Sequence, residues 1–256
     1  MHLDVRRSKI FGFNFFKFIR YHIENLNIFC VFHPFKIYEY KEIIRDIRFS
    51  EHDIILDIGC GNGLETLLIG KKCKKIYGID IFKENLAIAR YRAHLLKKKI
   101  NSEFKFTTLE KAGFNEEFFN KIFSICVLEH ISNYVEILKV SYKILKKGGK
   151  MIFSVDSLQN ITDKGFINYH KKKFNIKQYF TKENLKKELA EIGFRKIIIY
   201  PIYKSEYTKN RFMKIMTNIR LFNYIMSIFE YFVLKKKEAI SRDKNTGLVF
   251  IVKCCK

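Results

Sequence analysis

Ten residues, Ile54-Ile55-Leu56-Asp57-Ile58-Gly59-Cys60-Gly61-Asn62-Gly63, constrain this chain more than any other stretch. An apolar run ends in a Gly-rich turn, and Leu64–Ile69 behind it reads as helix. Strand, glycine turn and helix is the arrangement by which an α/β sheet brings a ligand against bare backbone. A Cβ at Gly59 or Gly61 would block that approach. A second buried-strand pattern, Ile76-Tyr77-Gly78-Ile79-Asp80, ends in a carboxylate about 20 residues after the glycines, where a ribose offers hydroxyls.

The glycine spacing chooses among nucleotides. A dinucleotide fingerprint needs G-x-G-x-x-G, so that the helix packs closely on the strand and its N-terminus holds a pyrophosphate. Here Leu64 stands at the third glycine position, and Gly63 comes one residue early. Asp57, two residues before the first glycine, would repel a pyrophosphate and suits a cationic ligand. NAD and FAD are disfavoured, and a nucleoside carrying an amino acid and a sulfonium fits.

The stretch resembles motif I of the class I S-adenosylmethionine-dependent methyltransferases, with Asp80 in the place of their ribose-binding acid. Ser124-Ile125-Cys126-Val127-Leu128-Glu129-His130-Ile131 resembles the VLEHI segment of the small-molecule branch, which includes quinone-biosynthesis and sugar O-methyltransferases. Ile144-Leu145-Lys146-Lys147-Gly148-Gly149-Lys150 resembles that branch's LKPGG turn, with Lys147 replacing the proline. The likeness covers about residues 35–200, with a family-like last strand at 247–253. It implies that Asp57, Gly59, Cys60 and Gly61 line the methionine end of S-adenosylmethionine and that Asp80 holds the ribose. Ile81, Thr108 and Leu109 would surround the adenine, with Val127 nearby. One departure stands out: Thr108 occupies the position where the family often has an acid beside the adenine amino group, and Glu110 follows two residues later. A hydroxyl also accepts from an amine.

Methyl transfer is an in-line displacement that needs an aligned acceptor and exclusion of water. A hydroxyl acceptor also benefits from a base whose pKa lies near neutral. His130 and Glu129 are the first candidates, followed by His170, which precedes Tyr179-Phe180-Thr181 and resembles the H…FT substrate wall of relatives. The plainer alternatives are a residue that ties down a loop and, for His170, a solvated neighbour of Lys171–Lys173. Cys126 lacks the preceding proline of carbon-5 base methylases and reads as a buried, inert thiol. The Asn/Asp-Pro-Pro-aromatic segment of base N-methylation is absent.

The composition, 48% hydrophobic and 16% aromatic across 256 residues, supplies a substantial core. No signal peptide is evident at the N-terminus, and no run of about 18 apolar residues lacks a charge. The six cysteines (Cys30, Cys60, Cys73, Cys126, Cys254, Cys255) show no metal spacing and read as reduced thiols in a cytoplasmic protein. The net charge of +23 reflects general lysine richness and runs such as Lys97-Lys98-Lys99 that close helices, where cations suit the carbonyl end. Anionic substrates, an anionic membrane surface and RNA remain the partners such basicity could serve.

From Asp53 onward strand and helix alternate. The expected fold is therefore α/β, a Rossmann-like doubly wound sheet. The resemblance adds seven mostly parallel strands with an antiparallel last one. Residues 1–50 are expected to form a helical N-terminal segment, with Pro34 as a break before Phe35–Ile47, and 51–256 the methyltransferase domain. Between Asp156 and Thr181 the rhythm lapses; Thr181 caps a helix that Gly193 ends.

Residues 205–245 form a helical insert before the last strand, too long for a simple connection. Within it, Arg220, Asn223, Ser227 and Glu230 make one polar stripe, flanked by Arg211, Lys214 and Lys235-Lys236-Lys237. The 211–237 stretch suits a lid, a homodimer contact or a peripheral membrane contact.

The reading that unites these features is methyl transfer from S-adenosylmethionine, by preference to oxygen, on a small-molecule, sugar- or lipid-linked acceptor. The alternatives are an RNA methyltransferase using the basic surface, against which the missing base-methylation signatures count, and a non-catalytic cofactor-binding protein.

Overall fold

The computed structural model describes residues 34–96, 99–217, 227–243 and 245–256. Residues 1–33, including Cys30 and most of the expected N-terminal helical segment, lie outside the described residues, as do Lys97, Lys98, Arg220 and Asn223. The chain runs α1 (Pro34–Ile44), β1 (Ile54–Ile58), α2 (Leu64–Gly70), β2 (Lys75–Asp80), α3 (Lys83–Leu96), β3 (Ser102–Phe106) and β4 (Phe119–Ile125). A 3₁₀ turn (Leu128–His130), α4 (Tyr134–Ile144), β5 (Leu145–Asp156), α5 (Lys164–Lys173), α6 (Lys182–Ile192) and β6 (Arg195–Ile202) follow. The insert supplies α7 (Glu206–Thr217) and α8 (Ser227–Ile240), and β7 (Val249–Cys255) closes the sheet.

The seven strands are ordered β3-β2-β1-β4-β5-β7-β6. Pairings from β3 through β5 are parallel, and β7 runs antiparallel to both of its neighbours, as expected. Period-2 alternation explains the two apolar layers. Ile55, Phe123, Ile152 and Ile251 face one side with Leu67, Leu86 and Phe212. Leu56, Ile122, Phe153 and Val252 face the other with Leu138, Leu185 and Leu189. The order reverses between β1 and β4, so a crevice opens above their carboxyl ends.

Two boundaries differ from the sequence expectation. β5 begins at Leu145 rather than Lys150, because Phe119 pairs with Leu145 and Lys121 with Lys150, leaving the Lys146–Gly149 turn as a bulge. α5 occupies the stretch where no helical rhythm was expected. Only Phe166 and His170 are buried on it, so no apolar repeat marks it, and Asp163 caps it by accepting from Phe166 N at 3.0 Å. Among its described residues the insert places α7 and α8 against each other, joined by the Arg211–Glu230 ion pair. Glu230, expected in a polar stripe, is buried in that contact. At Thr181 the expected cap is present, its hydroxyl accepting from Asn184 N.

Candidate active site

The turn after β1 is held by its own backbone. The N–H groups of Gly59 and Cys60 both donate to Ile79 O, at 2.9 and 3.0 Å, and Gly63 N donates to Cys60 O at 2.9 Å. Gly61 N donates to Asp80 Oδ2 at 2.8 Å, and Phe82 N donates to Asp80 Oδ1 at 2.8 Å. These donors, which a pyrophosphate would need, are already engaged, as the glycine spacing predicts. Arg92 pins the tip through Asn62 O and Oδ1, at 2.9 and 2.6 Å.

The two glycines do different work. Both have positive φ, +69° at Gly59 and +50° at Gly61. A Cβ on Gly59 would lie 2.4 Å from Val127 Cγ2, so protein, not ligand space, forbids a side chain there. A Cβ on Gly61 would meet nothing within 4 Å. Gly61 therefore presents a bare backbone to open space, the cradle that motif I requires. Val127 stands beside Gly59.

Asp57 is buried, and among the described residues its side chain accepts one hydrogen bond, from Thr66 Oγ1 to Oδ2 at 2.5 Å. Among the described residues it has no cationic partner within ion-pair distance. Burial pushes its carboxyl up to about 7, and the nearby Glu65 and Asp80 charges add to the rise. Such a site is relieved by a cation. The surface beyond β2 and β3, where the resemblance expects the adenine, is apolar and open: Ile81, Phe82, Phe106 and Thr108 are exposed and Leu109 is buried. Cys60 is buried, its Sγ close to Gly78 and Phe104, and contributes backbone to the turn rather than a side chain to the crevice. Taken together, the turn and its acids fit S-adenosylmethionine: a bare glycine, a buried acid lacking a cation, a strand-end acid and an apolar shelf.

Beyond the ends of β4 and β5 lies a second group. Glu129 is 0% exposed, and neither carboxylate oxygen has a hydrogen-bond partner among the described residues. Its backbone is clamped, Glu129 O accepting from Lys177 N at 2.8 Å while Gln178 Nε2 donates to Leu128 O and Ile131 O. Cys126 Sγ, Glu129 and Asp156 bring their polar atoms within 4.8 Å of one another, a spacing suited to a cation or to hydroxyl donors. Burial pushes the Glu129 and Asp156 carboxyls up, and the Asp156 charge adds to the rise at Glu129. Cys126 sits at φ +51°, and burial pushes its thiol well up, as expected for an inert cysteine.

His170 is buried, with Nδ1 at 3.2 Å from Tyr179 OH and Nε2 at 3.9 Å from Asp156 Oδ2. Burial lowers its pKa to about 4, so the ring is neutral at pH 7. Phe174, Phe212 and Phe166 surround it, with ring centroids 4.8, 5.8 and 6.0 Å away. His130 is exposed, its ring against the backbone of Phe174 and Asn175. The structure thus unites Glu129 with His170 around Asp156 and leaves His130 at the rim.

Sequence reasoning expected the helix α1 but missed its part in the site. Glu39 accepts from Ser154 Oγ at 2.6 Å, Cys126 Sγ at 2.9 Å and Lys36 Nζ at 2.7 Å. Nothing local marks a residue whose partners lie 87 and 115 positions away. Asp156 had a usable signal, an acid ending a strand beside the switch point, as Asp80 does.

The family model for the methyltransferase domain matches residues 33–198. The chain belongs to that methyltransferase family. Similar proteins include the ubiquinone biosynthesis O-methyltransferase of Pelagibacter ubique, 31% identical over 130 residues, covering 48% of this chain and 53% of that protein. The chain spans about half, or less, of the length of the curated relatives it matches. Among solved structures, the geranyl diphosphate C-methyltransferase of Streptomyces coelicolor superposes with a TM-score of 0.65 at 9% identity, over 86% of this chain and 79% of that one. The phosphoethanolamine N-methyltransferase 2 of Haemonchus contortus gives 0.60 at 15%, over 88% and 58%. At such identities these structures establish the methyltransferase fold.

Proposed function

We propose that the protein transfers a methyl group from S-adenosylmethionine to a hydroxyl of a small-molecule, sugar- or lipid-linked acceptor. Asp57 carries the reading. A buried carboxylate without a cationic partner, one turn from a bare glycine, suits the ammonium and sulfonium end of that cofactor. Gly61 lies under the methionine, Asp80 takes the ribose hydroxyls, and Ile81, Thr108 and Leu109 border the adenine. When bound, the cofactor supplies an electrophilic methyl carbon.

The chain's own residues align the acceptor and take its proton. Asp156 is favoured over His170 as the group that receives it, because burial raises the Asp156 carboxyl toward neutral while the imidazole is held at about 4. Glu129, whose carboxyl burial also raises, lies with its polar atoms within 4.8 Å of those of Asp156 and Cys126 and hydrogen-bonds the acceptor beside it. The aromatic wall around His170 keeps water from the reacting oxygen. The O-methyltransferase relatives support oxygen over nitrogen or carbon as the atom methylated.

Calorimetric titration with S-adenosylmethionine, with NAD as control, tests the cofactor assignment. Micromolar binding of the first alone is expected. Asp80→Ala should weaken it at least tenfold, since the carboxylate also anchors Gly61 N. A folded protein that binds neither would overturn the reading.

A further inference from the structure

Helix α8 is built inside out. Its two acids face the protein: Glu230 is 7% exposed and Glu238 2%. Glu230 pairs with Arg211, and Glu238 accepts from Lys204 N, Ser205 N and Thr208 Oγ1. Leu234 also faces the core at 0% exposure, whereas three large apolar side chains face outward, Phe229 at 67%, Phe232 at 60% and Ile240 at 67%. Phe229, Phe232, Lys236 and Ile240 follow one another at spacings of three, four and four, so they share one face. Lys235 and Lys237 lie on opposite flanks of that stripe, and all three lysines are exposed. On α7, Tyr207 extends the patch, its ring centroid 6.0 Å from Lys237 Nζ.

We propose that this face of α8 docks the protein on an anionic bilayer surface, the rings entering the headgroup boundary while the lysines reach lipid phosphates. An apolar stripe bordered by long cationic side chains matches that boundary, because each lysine stem lies along the apolar layer and its ammonium stays in the polar one. A second copy of this chain is disfavoured as the occupant. It would bring the same three lysines against the patch within a chain of net charge +23. Residues 1–33 are disfavoured for the same reason, having five Lys/Arg against two Asp/Glu. No helix among the described residues is long and apolar enough to cross a membrane, so the contact lies on the surface. α8 packs on α1, the helix whose Glu39 reaches Cys126 and Ser154, and the docking face therefore adjoins the acceptor side.

Co-sedimentation of the full chain with vesicles of phosphatidylcholine and phosphatidylglycerol, without cofactor or acceptor, reads this contact separately from methyl transfer. Binding is expected, weakening as salt rises and strengthening as the phosphatidylglycerol fraction rises. The variant Phe229→Ser/Phe232→Ser/Ile240→Ser should lose it while keeping its melting temperature. Lys235→Gln/Lys236→Gln/Lys237→Gln should lower the partition coefficient about a hundredfold, roughly fivefold per lysine. Three outcomes would each overturn the proposal: no sedimentation of the parent, unchanged sedimentation of the serine variant, or a dimer in analytical ultracentrifugation that the serine changes break without vesicle binding. Retained S-adenosylmethionine binding in those cases would leave the cofactor assignment standing.

Discussion

Adding one methyl group at Gly59 or at Gly61 should produce opposite defects, although only Cys60 separates the two glycines and both have a left-handed backbone. Alanine in that region costs about 1–2 kcal/mol at either position. At Gly61 nothing further opposes it, since its Cβ meets open space. Gly61→Ala should therefore stay folded, with a melting temperature a few degrees lower at about 2–4 °C per kcal/mol. Its methyl would stand where the ligand approaches, and affinity for S-adenosylmethionine should fall at least tenfold, about 1.4 kcal/mol.

At Gly59 the Cβ would come 2.4 and 2.9 Å from the two Val127 methyls, whose branched side chain has little freedom to turn away. Overpacking adds about 1–3 kcal/mol, for a total of about 2–5 kcal/mol. Thermal melts should show Gly59→Ala well below Gly61→Ala. Combining it with Val127→Ala should return part of the loss, as a positive coupling in a double-mutant cycle. Equal melting temperatures for the two single variants, or a cycle without coupling, would refute the steric argument. Unchanged cofactor affinity in Gly61→Ala would refute the placement of the ligand.

Asp57 sets a pH dependence. Its folded pKa of about 7 stands above the ordinary carboxylate value of about 4. Its contribution to stability is therefore complete below about pH 4 and lost as pH rises to about 7. Asp57→Asn should flatten the melting-temperature profile across that window and melt higher than the parent at pH 8, while binding the cofactor more weakly; an unchanged slope would count against a buried, cation-free carboxylate. Glu238→Ala strips the acceptor from Lys204 N, Ser205 N and Thr208 Oγ1 at the start of α7. A cost of about 2–3 kcal/mol is expected from thermal melts, with Glu238→Gln milder; a surface-like loss under 0.5 kcal/mol would contradict the anchoring role.

The half of the candidate site proposed for the cofactor was legible because its determinants are local. Gly59, Gly61 and Asp80 fall within 22 residues, and each is dictated by the strand or turn on which it sits. The acceptor half was only partly legible. Glu129 and His170 stood out by type, and Asp156 joins them only because β5 runs beside β4. His130, equally prominent in sequence, is turned outward by the 3₁₀ turn that carries Glu129 inward. Glu39 acquires its meaning wholly from α1 folding back over the strand ends. The insert was legible as amphipathic, but Glu230 and Glu238 reverse the usual sense, because buried backbone and guanidinium donors outcompete water for them.

The placement of α1 has a consequence for how such a chain diversifies. Turn and strand-end acids on the β1–β3 side answer to one another at short range, whereas the opposite compartment is completed by a helix that precedes the first strand and contacts it through Glu39, Tyr203 and α8. Ile37 of the same helix packs on Leu64, just behind the glycine turn, so α1 spans both compartments. A change in α1 is therefore expected to alter the fit of acceptor and methyl donor together, whereas the insert, which packs on α1 and the β6 end, is the part free to vary alone.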